Sequence, residues 1–345
     1  MSLAYADIDD AVLLTQQNLI KRGAFLDLQT DLQDFVAVRE LWKTRKKVFN
    51  GGDDWEWQAQ IDHNHSARAV GLYETDGSAI MDTMIRGRVQ PRHVNAHYTY
   101  ELHEPSFQKG GVTIVDLVKT RYIAMMFSWY SKVEEFLWSK PATSADKRTP
   151  YGVTYWVIKN ATEGFNGENP AGFTLGRGSI DSTVYGRWAN WADDYTAVSK
   201  EELLRKMRKG HRQTKFRSPI SHATPTLGAM RNGIYTTDSV IGLMEELVEQ
   251  QNMNLGNDLA SKDGRANFKS TPITWVPQLD IDTQNPVYML DWNWFAIGVL
   301  AGWENQMTKP YQVPDMHNVR RVDLDASFQM ICTNLRRQAV FHNAG

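Results

Sequence analysis

Residue types that support catalysis or metal binding occur in the sequence, but few are spaced as a reaction requires. His63 and His65 lie two apart, so one strand face would carry both imidazoles, but a zinc site needs a third ligand from elsewhere. The acid pairs at 53–54 and 193–194 are of the kind that a hydrolase uses, yet adjacent residues of a strand point to opposite faces. We interpret the histidines as exposed polar residues and the acids as solvated loop carboxylates.

The motifs of the common enzyme classes are missing. No glycine is followed by lysine, which excludes the phosphate-binding loop of nucleotide hydrolases. The segment Gly176-Arg-Gly178 lacks the third glycine of a dinucleotide-binding loop, and no serine has the flanking glycines of a nucleophile elbow. Asp280-Ile-Asp282 lacks the glycine turn of a calcium loop. We expect no catalytic residue, no cofactor and no metal ion.

Two other features favour binding over chemistry. The tryptophan pairs 55/57, 188/191 and 292/294 would suit a carbohydrate-active enzyme with a carboxylate couple, although packing in a core or an interface is the more common use of such residues. From Arg205 to Arg217, seven residues are Lys or Arg and none is acidic. This basic run fits a solvated helix face, a contact with acids of a neighbouring subunit, or a surface that faces nucleic acid.

The overall composition bounds the class of protein. The 345 residues include 38 Lys or Arg and 40 Asp or Glu, a balance that excludes a globally basic nucleic-acid-binding protein. The single cysteine, Cys332, excludes an internal disulfide. The first twenty residues carry aspartates and no Lys or Arg, unlike a secretory signal peptide, and the longest uncharged apolar stretch, 292–303, is too short to span a membrane. We expect synthesis in the cytoplasm and no membrane contact.

Periodicity predicts three helices. Apolar residues at helical spacing predict a long helix over 112–139, which Pro141 ends. Ser199 and Glu202 have the spacing of a capping box, which predicts a second helix from 200 to about 209. A third amphipathic pattern covers 240–248.

A period of two predicts the strands. A long hairpin is expected over 51–105, with its turn at Asp76-Gly77 and with Trp55 and Trp57 on one strand face. This hairpin is too polar to hold a core of its own, so it needs another surface to lie on. Further strands are expected at 273–276, 287–290, 296–300 and, as one long strand or a strand pair, within 318–341.

Three segments of the final third resemble the closing part of the major capsid proteins of tailed bacteriophages of the Hong Kong 97 type. They are Asn285-Pro-Val-Tyr-Met-Leu-Asp-Trp-Asn-Trp-Phe295, Leu300-Ala-Gly-Trp-Glu304 and Cys332-Thr-Asn-Leu-Arg-Arg-Gln-Ala-Val-Phe341. The order of the predicted elements is similar along nearly the whole chain. The resemblance implies an α+β, Hong Kong 97-like capsid fold. Its expected parts are an N-terminal arm (1–50), an E-loop hairpin (51–105), a peripheral domain (106–218, spine helix 112–139), an axial domain (219–314) and a return to the peripheral domain (315–345).

The resemblance also implies a function. The protein would be a virion structural protein and not an enzyme, forming homo-pentamers and homo-hexamers that tile an icosahedral shell around double-stranded DNA. The implied partners are portal, scaffolding and decoration proteins, with packaged DNA on the inner face. Encapsulins share the fold but enclose enzymes, so a compartment shell is one alternative, and the carbohydrate-active enzyme is another.

Seven residues are expected at subunit contacts or on the inner face of the shell: Trp55, Trp57, Arg205, Lys206, Arg208, Lys209 and Arg212. The hairpin would project from the body and bury Trp55 or Trp57 against an adjacent subunit. Some relatives join their subunits by an isopeptide bond from an E-loop lysine, but no lysine lies between Lys47 and Lys109, and a guanidinium is a poor nucleophile. We therefore expect a shell without covalent cross-links.

Overall fold

The computed structural model describes residues 35–42, 44–60, 62, 67–72, 82–101, 103, 117–215, 232–252 and 267–344. These residues divide into two compact units. The smaller unit contains 93–101, 103, 117–133 and 302–327, and the larger unit contains the others.

The described residues form both helices and strands. The helices are α1 (Leu117–Trp138), α2 (Val153–Trp156), α3 (Leu203–Thr214) and α4 (Asp238–Asn252), and a π-helical turn covers Val38–Trp42. The first strands are β1 (Lys46–Phe49), β2 (Trp55–Gln60), β3 (Met84–Val89), β4 (Arg92–Glu101), β5 (Gly164–Gly167), β6 (Asn190–Tyr195) and β7 (Asn232–Thr236). The others are β8 (Asn267–Phe268), β9 (Thr271–Trp275), β10 (Val287–Asp291), β11 (Phe295–Leu300), β12 (Gln306–Met307), β13 (Tyr311–Gln312), β14 (Val319–Cys332) and β15 (Ala339–Asn343).

The predicted helices are present, with one shift. The long helix is confirmed over 117–138, whereas 112–116 lie outside the described residues. The helix predicted from residue 200 begins instead at Leu203 and continues to Thr214. Only half of the capping box forms: Glu202 N donates to Ser199 Oγ at 3.1 Å, but the Glu202 carboxylate accepts from the backbone N–H of Ala197 at 2.8 Å. This carboxylate therefore binds the preceding loop.

The smaller unit is built on one long strand. Residues 319–327 of β14 pair with β12 and β13 as antiparallel strands, and β4 also pairs with β14. Asn95 Nδ2 donates to Asp325 Oδ1 at 2.6 Å across the β4–β14 pair. The rings of Tyr98 on β4 and Tyr122 on α1 meet edge to face at 6.3 Å, so the helix covers this strand.

A mixed seven-stranded sheet dominates the larger unit, with the order β5-β6-β15-β10-β7-β9-β8. Its strands come from both sides of residue 218 and include the C-terminal strand β15. The β15 strand pairs with β6 and β10 and thus belongs to this sheet.

The helices α3 and α4 cover one face of this sheet. Leu203 and Met207 of α3 share one apolar core with Val240 and Met244 of α4 and with Phe341 of β15. Within this layer, α3 packs on β6 and β15 and α4 packs on β9. The two helices thus lie on the same face, near opposite ends of the strand order.

Aromatic rings cover the other face of the seven-stranded sheet. The ring of Trp138, at the end of α1, lies 5.4 Å from that of Tyr235 and 6.3 Å from that of Trp292. The indole of Trp292 donates to the Tyr235 hydroxyl at 2.7 Å. Glu134, also on α1, accepts from Trp138 Nε1 at 2.8 Å and from the backbone N–H groups of Ala37 and Val38 at 2.9 and 2.8 Å, so its buried carboxylate is fully bound.

A second sheet region of the larger unit contains β1, β11 and residues 328–332 of β14. The β1 strand pairs parallel with β11, and β11 pairs antiparallel with β14. The predicted strands at 273–276, 287–290 and 296–300 are confirmed within one or two residues as β9, β10 and β11, and 318–341 contains the strands β14 and β15.

The hairpin is shorter than predicted. The strands β2 and β3 pair antiparallel from Trp55 opposite Val89 to Gln60 opposite Met84. Residues 92–101 form β4 and pair with β14 rather than with β2, because the chain leaves the hairpin after Val89. The predicted turn at Asp76-Gly77 lies outside the described residues.

Candidate assembly surfaces

The hairpin indoles pack on their own chain. Trp55 is 1% exposed and stacks on Phe49 of β1, with ring centroids 4.6 Å apart and planes 7° apart. Trp57 is half-buried, and its ring meets Trp156 at 6.1 Å. The body of the same chain therefore covers Trp55, whereas Trp57 keeps an exposed part, and a contact with an adjacent subunit stays a prediction.

A tight turn at 176–178 holds the base of this hairpin. Gly176 and Gly178 have φ values of 76° and 60°, a region that glycine occupies without strain. Arg88 N of β3 donates to Gly178 O at 2.9 Å. A Cβ at Gly178 would approach the Trp57 ring to 2.7 Å, so the glycine allows this close contact.

Between these glycines the structure buries an arginine that the sequence analysis missed. Arg177 is fully buried, and its guanidinium donates to the backbone oxygens of Trp156 at 2.7 Å and Trp188 at 2.9 Å and to Asn190 Oδ1 at 2.7 Å. Burial lowers its pKa to about 10. The flanking glycines were the only signal in the sequence, and they fit a structural anchor better than a cofactor loop.

The basic run forms the exposed side of α3, and its members have different surroundings. Lys206 Nζ donates to Asp194 Oδ1 at 2.9 Å and lies 3.2 Å from Asp193 Oδ1. Burial tends to lower the pKa of Lys206, but the hydrogen bonds to Asp194 and Asp193 outweigh it and raise that pKa. Lys209 forms an ion pair with Glu163. These two lysines are thus neutralised within the chain, and their contact with a partner or with nucleic acid stays a prediction.

The arginines of α3 remain available. Arg205, Arg208 and Arg212 are exposed, and none of the three has an ion-pair partner among the residues that the structure describes. Their spacing of three and four residues places them in one stripe along the helix. This stripe is the part of the predicted contact surface whose charges no acid of the described residues balances.

The helix α4 carries the opposite charge. Its sequence from Asp238 to Asn252 contains four acids and no Lys or Arg. Asp238, Glu245 and Glu246 are exposed, and their carboxylates have no cationic partner within the described part of the chain. The amphipathic pattern over 240–248 predicted this helix but not the charge of its exposed side.

Two cavities among the described residues lack the features of a carbohydrate site. An open groove of about 360 Å³ lies between the end of the hairpin and residues 184–187, and a cavity of about 20 Å³, enough for one water molecule, lies beside His211. No tryptophan lines either of them. Trp188, Trp191 and Trp292 are each at most 5% exposed, so they form core and not a platform for sugars.

Among the residues described, metal binding, thiol chemistry and membrane insertion have little support. No three His, Cys, Asp or Glu side chains of this part group as a metal site would require, and His63 and His65 fall outside it. Cys332 is buried in β14, and burial raises the pKa of its thiol to about 12. In the same part of the chain, no helix has the length and apolar character needed to cross a membrane.

Comparison with known proteins identifies the fold. No protein-family model and no curated protein sequence matches the chain. Solved capsid structures do match it. The subunit of the Cyanophage A-1(L) capsid is 13% identical with a TM-score of 0.64, over 96% of this chain and 99% of that one. The capsid subunit of Myoviridae Phage XM1 is 9% identical with a TM-score of 0.55, over 94% and 100%.

An encapsulin complex, holo-SrpI from Synechococcus elongatus PCC 7942, also matches, at 10% identity and a TM-score of 0.54, over 97% of this chain and 95% of that one. The chain has the Hong Kong 97-like capsid fold, and the predicted α+β class is confirmed.

Proposed function

We propose that this chain is the major capsid protein of a tailed bacteriophage, which assembles with itself as pentamers and hexamers into an icosahedral shell around double-stranded DNA. The observation that carries the proposal is the extent of the likeness to phage capsid subunits, which covers 96% of this chain and 99% of the cyanophage subunit. The function is structural rather than enzymatic, because the features of the site are surfaces and anchors: charged helix faces and a buried arginine.

The proposal includes a domain organisation, which the strand pairing supports. We assign the E-loop to the β2–β3 hairpin and the spine helix to α1. The peripheral domain then contains β1, β4 and β11 to β14, and the axial domain contains the seven-stranded sheet with α3 and α4. Residues 1–50 keep their assignment as the N-terminal arm, of which β1 is the part paired with β11.

The proposal includes partners and a location. The shell would form in the host cytoplasm and become part of the virion. Scaffolding protein would guide assembly, a portal would occupy one vertex, decoration proteins would cover the outside, and DNA would contact the inner face. These partners follow from the proposed role in a virion.

A compartment shell of the encapsulin type is a second candidate, favoured by the match to holo-SrpI over 97% of this chain. The two candidates differ in what the shell encloses. Particles isolated from the culture that produces them should contain nuclease-protected double-stranded DNA if the protein is a virion capsid. Particles that contain an enzyme and no genome would instead support the compartment.

The experiment that tests assembly itself is a mass measurement on the purified full chain. We expect analytical ultracentrifugation and negative-stain electron microscopy to show closed shells with or without co-expressed scaffold. A protein that stays at its chain mass of 39.4 kDa under both conditions would contradict the proposal.

A further inference from the structure

Two helices of the larger unit carry charges of opposite sign. In α3, five residues are Lys or Arg and none is Asp or Glu, whereas α4 has four acids and no Lys or Arg. Charges of one sign repel each other within each helix and lower its stability when they lie three or four residues apart. Such an arrangement indicates that an opposite charge comes from outside each helix.

The two helices are placed as a pair of complementary surfaces would be. They share the apolar core on one face of the seven-stranded sheet, so they lie on the same side of it. The helix α3 packs on β6 and β15, and α4 packs on β9 near the other end of the strand order. One end of this layer is thus positive and the other negative, which is the distribution that a head-to-tail contact in a ring requires.

The arginine stripe of α3 and the exposed acids of α4 (Asp238, Glu245 and Glu246, the acidic stripe) have the same spacing along their helices. Arg205 and Arg212 are seven residues apart, as are Asp238 and Glu245, which corresponds to about 10.5 Å along a helix. Gly242 lies between the acids on the exposed side of α4, and a Cβ built there has no atom within 4 Å. This position leaves room for a side chain of a partner beside the acidic stripe.

We propose that the α3 stripe of Arg205, Arg208 and Arg212 contacts the α4 stripe of Asp238, Glu245 and Glu246 on the next copy of the chain in a pentamer or hexamer. The inference rests on the proposed assembly into rings. Two neighbouring copies then provide each other with the counter-charges that each helix lacks. Arginine suits this contact because its planar guanidinium binds a carboxylate through two hydrogen bonds.

Nucleic acid is a weaker partner for the arginine stripe. The two helices cover the same face of one sheet, so a polyanion that approached α3 along this face would also meet the acids of α4. Coulomb repulsion between those acids and the phosphates would oppose the approach. A second copy of the chain satisfies both helices at once.

Charge reversal with rescue tests the contact in the full chain. We expect Arg205→Glu with Arg208→Glu, and separately Glu245→Arg with Glu246→Arg, to lower the yield of sedimenting shells by about tenfold or more. The variant with all four substitutions should recover most of the wild-type yield, because the signs are exchanged on both sides of the contact. Lys147→Glu with Arg148→Glu, a reversal at two exposed residues elsewhere, is the matched control and should assemble normally.

The outcomes separate the inference from the proposed function. Circular dichroism and urea unfolding of each variant show that the subunit itself is folded. Wild-type shells without recovery in the fourfold variant, or normal yields from either double variant, would overturn the helix contact alone. Normal empty shells that fail only in DNA packaging after reversal in α3 would assign the stripe to nucleic acid. A wild-type chain that never assembles would overturn the proposed function and the contact with it.

Discussion

At the scale of single residues, the fully buried guanidinium of Arg177 requires hydrogen-bond acceptors from several segments of the chain. It is bound by backbone carbonyls and neutral side chains, so it joins the segments around Trp156, Gly167 and Trp188. Replacing it removes a donor from each of these acceptors. Trp188 O keeps Ser182 Oγ as a donor, but a buried acceptor left without one, such as Trp156 O, costs about 1–3 kcal/mol.

We predict that Arg177→Leu lowers the free energy of unfolding by more than about 3 kcal/mol or prevents soluble expression. Arg148→Leu, at an exposed arginine, is the control and should change it by less than about 0.5 kcal/mol. Urea unfolding of the unassembled subunit measures both. Equal effects from the two substitutions would show that the network around Arg177 contributes little.

A second residue, His211 on α3, couples stability to pH. Burial, together with the positive charges of Lys215 and Lys269, lowers the pKa of His211 from 6.5 to about 4. The Phe268 ring also packs on it, and Asp291 and Arg337 line the adjacent cavity. Because the unfolded chain binds this proton more tightly, stability is retained above pH 6.5 and is lost as the pH falls towards 4.

We therefore predict that His211→Gln reduces the loss of stability between pH 6.5 and 4. The measurement is the urea midpoint of wild type and variant across this range, since the difference between them removes the contribution of the carboxylates. Parallel curves would contradict the prediction.

Residue types and alternation predicted that Trp55 and Trp57 share a strand face, but not what covers it. Phe49 is close in sequence to Trp55, whereas Trp156 comes from a distant segment that the fold brings to Trp57. The polar hairpin suggested an external partner, and contacts within the chain cover Trp55 and part of Trp57. Side-chain pairs with long sequence separation leave no local pattern, and Arg177 was missed for the same reason.

At the scale of elements, local signals predicted most of the strands and helices. The strands β9, β10 and β11 were predicted because prolines and glycines separate short apolar runs. The start of α3 was not predicted correctly. The Glu202 carboxylate, which a complete capping box would bind to the backbone of Ser199, binds Ala197 in the upstream loop instead. Strand order in the sheets depends on which edges pair, and hydrophobic periodicity contains no information on this.

Two helix glycines allow a matched prediction at this scale. Gly210 of α3 packs on the sheet, where a Cβ would lie 2.7 Å from Phe341 Cζ and 3.0 Å from Trp191 Nε1. Gly242 of α4 is exposed with open space around it. We expect Gly242→Ala to stabilise the subunit by about 0.5–1 kcal/mol, because alanine favours the helix.

Gly210→Ala should instead destabilise the subunit by about 1–3 kcal/mol, because overpacking against the buried ring outweighs the same gain in helix propensity. Thermal or urea unfolding of the two variants, side by side, gives the signs. Stabilisation by both would mean that α3 moves away from the sheet without cost.

At the scale of the whole molecule, the shell is expected to hold without covalent bonds. The segment between Lys47 and Lys109 contains no lysine, and the one cysteine is buried in β14. Mature particles boiled in detergent without reductant should release a single band near 39.4 kDa. A ladder of multimers would show that a lysine outside the hairpin reaches a neighbouring subunit.

The buried Cys332 allows the opening of the β14 strand to be timed. The chain contains one cysteine, and its thiol reacts as a thiolate, which burial suppresses by raising the pKa to about 12. A thiol reagent can therefore modify it only when β14 separates from β11. The labelling rate in intact particles would therefore measure the rate at which this strand opens in each subunit. A lower labelling rate after genome packaging would show how far neighbouring copies restrain the strand.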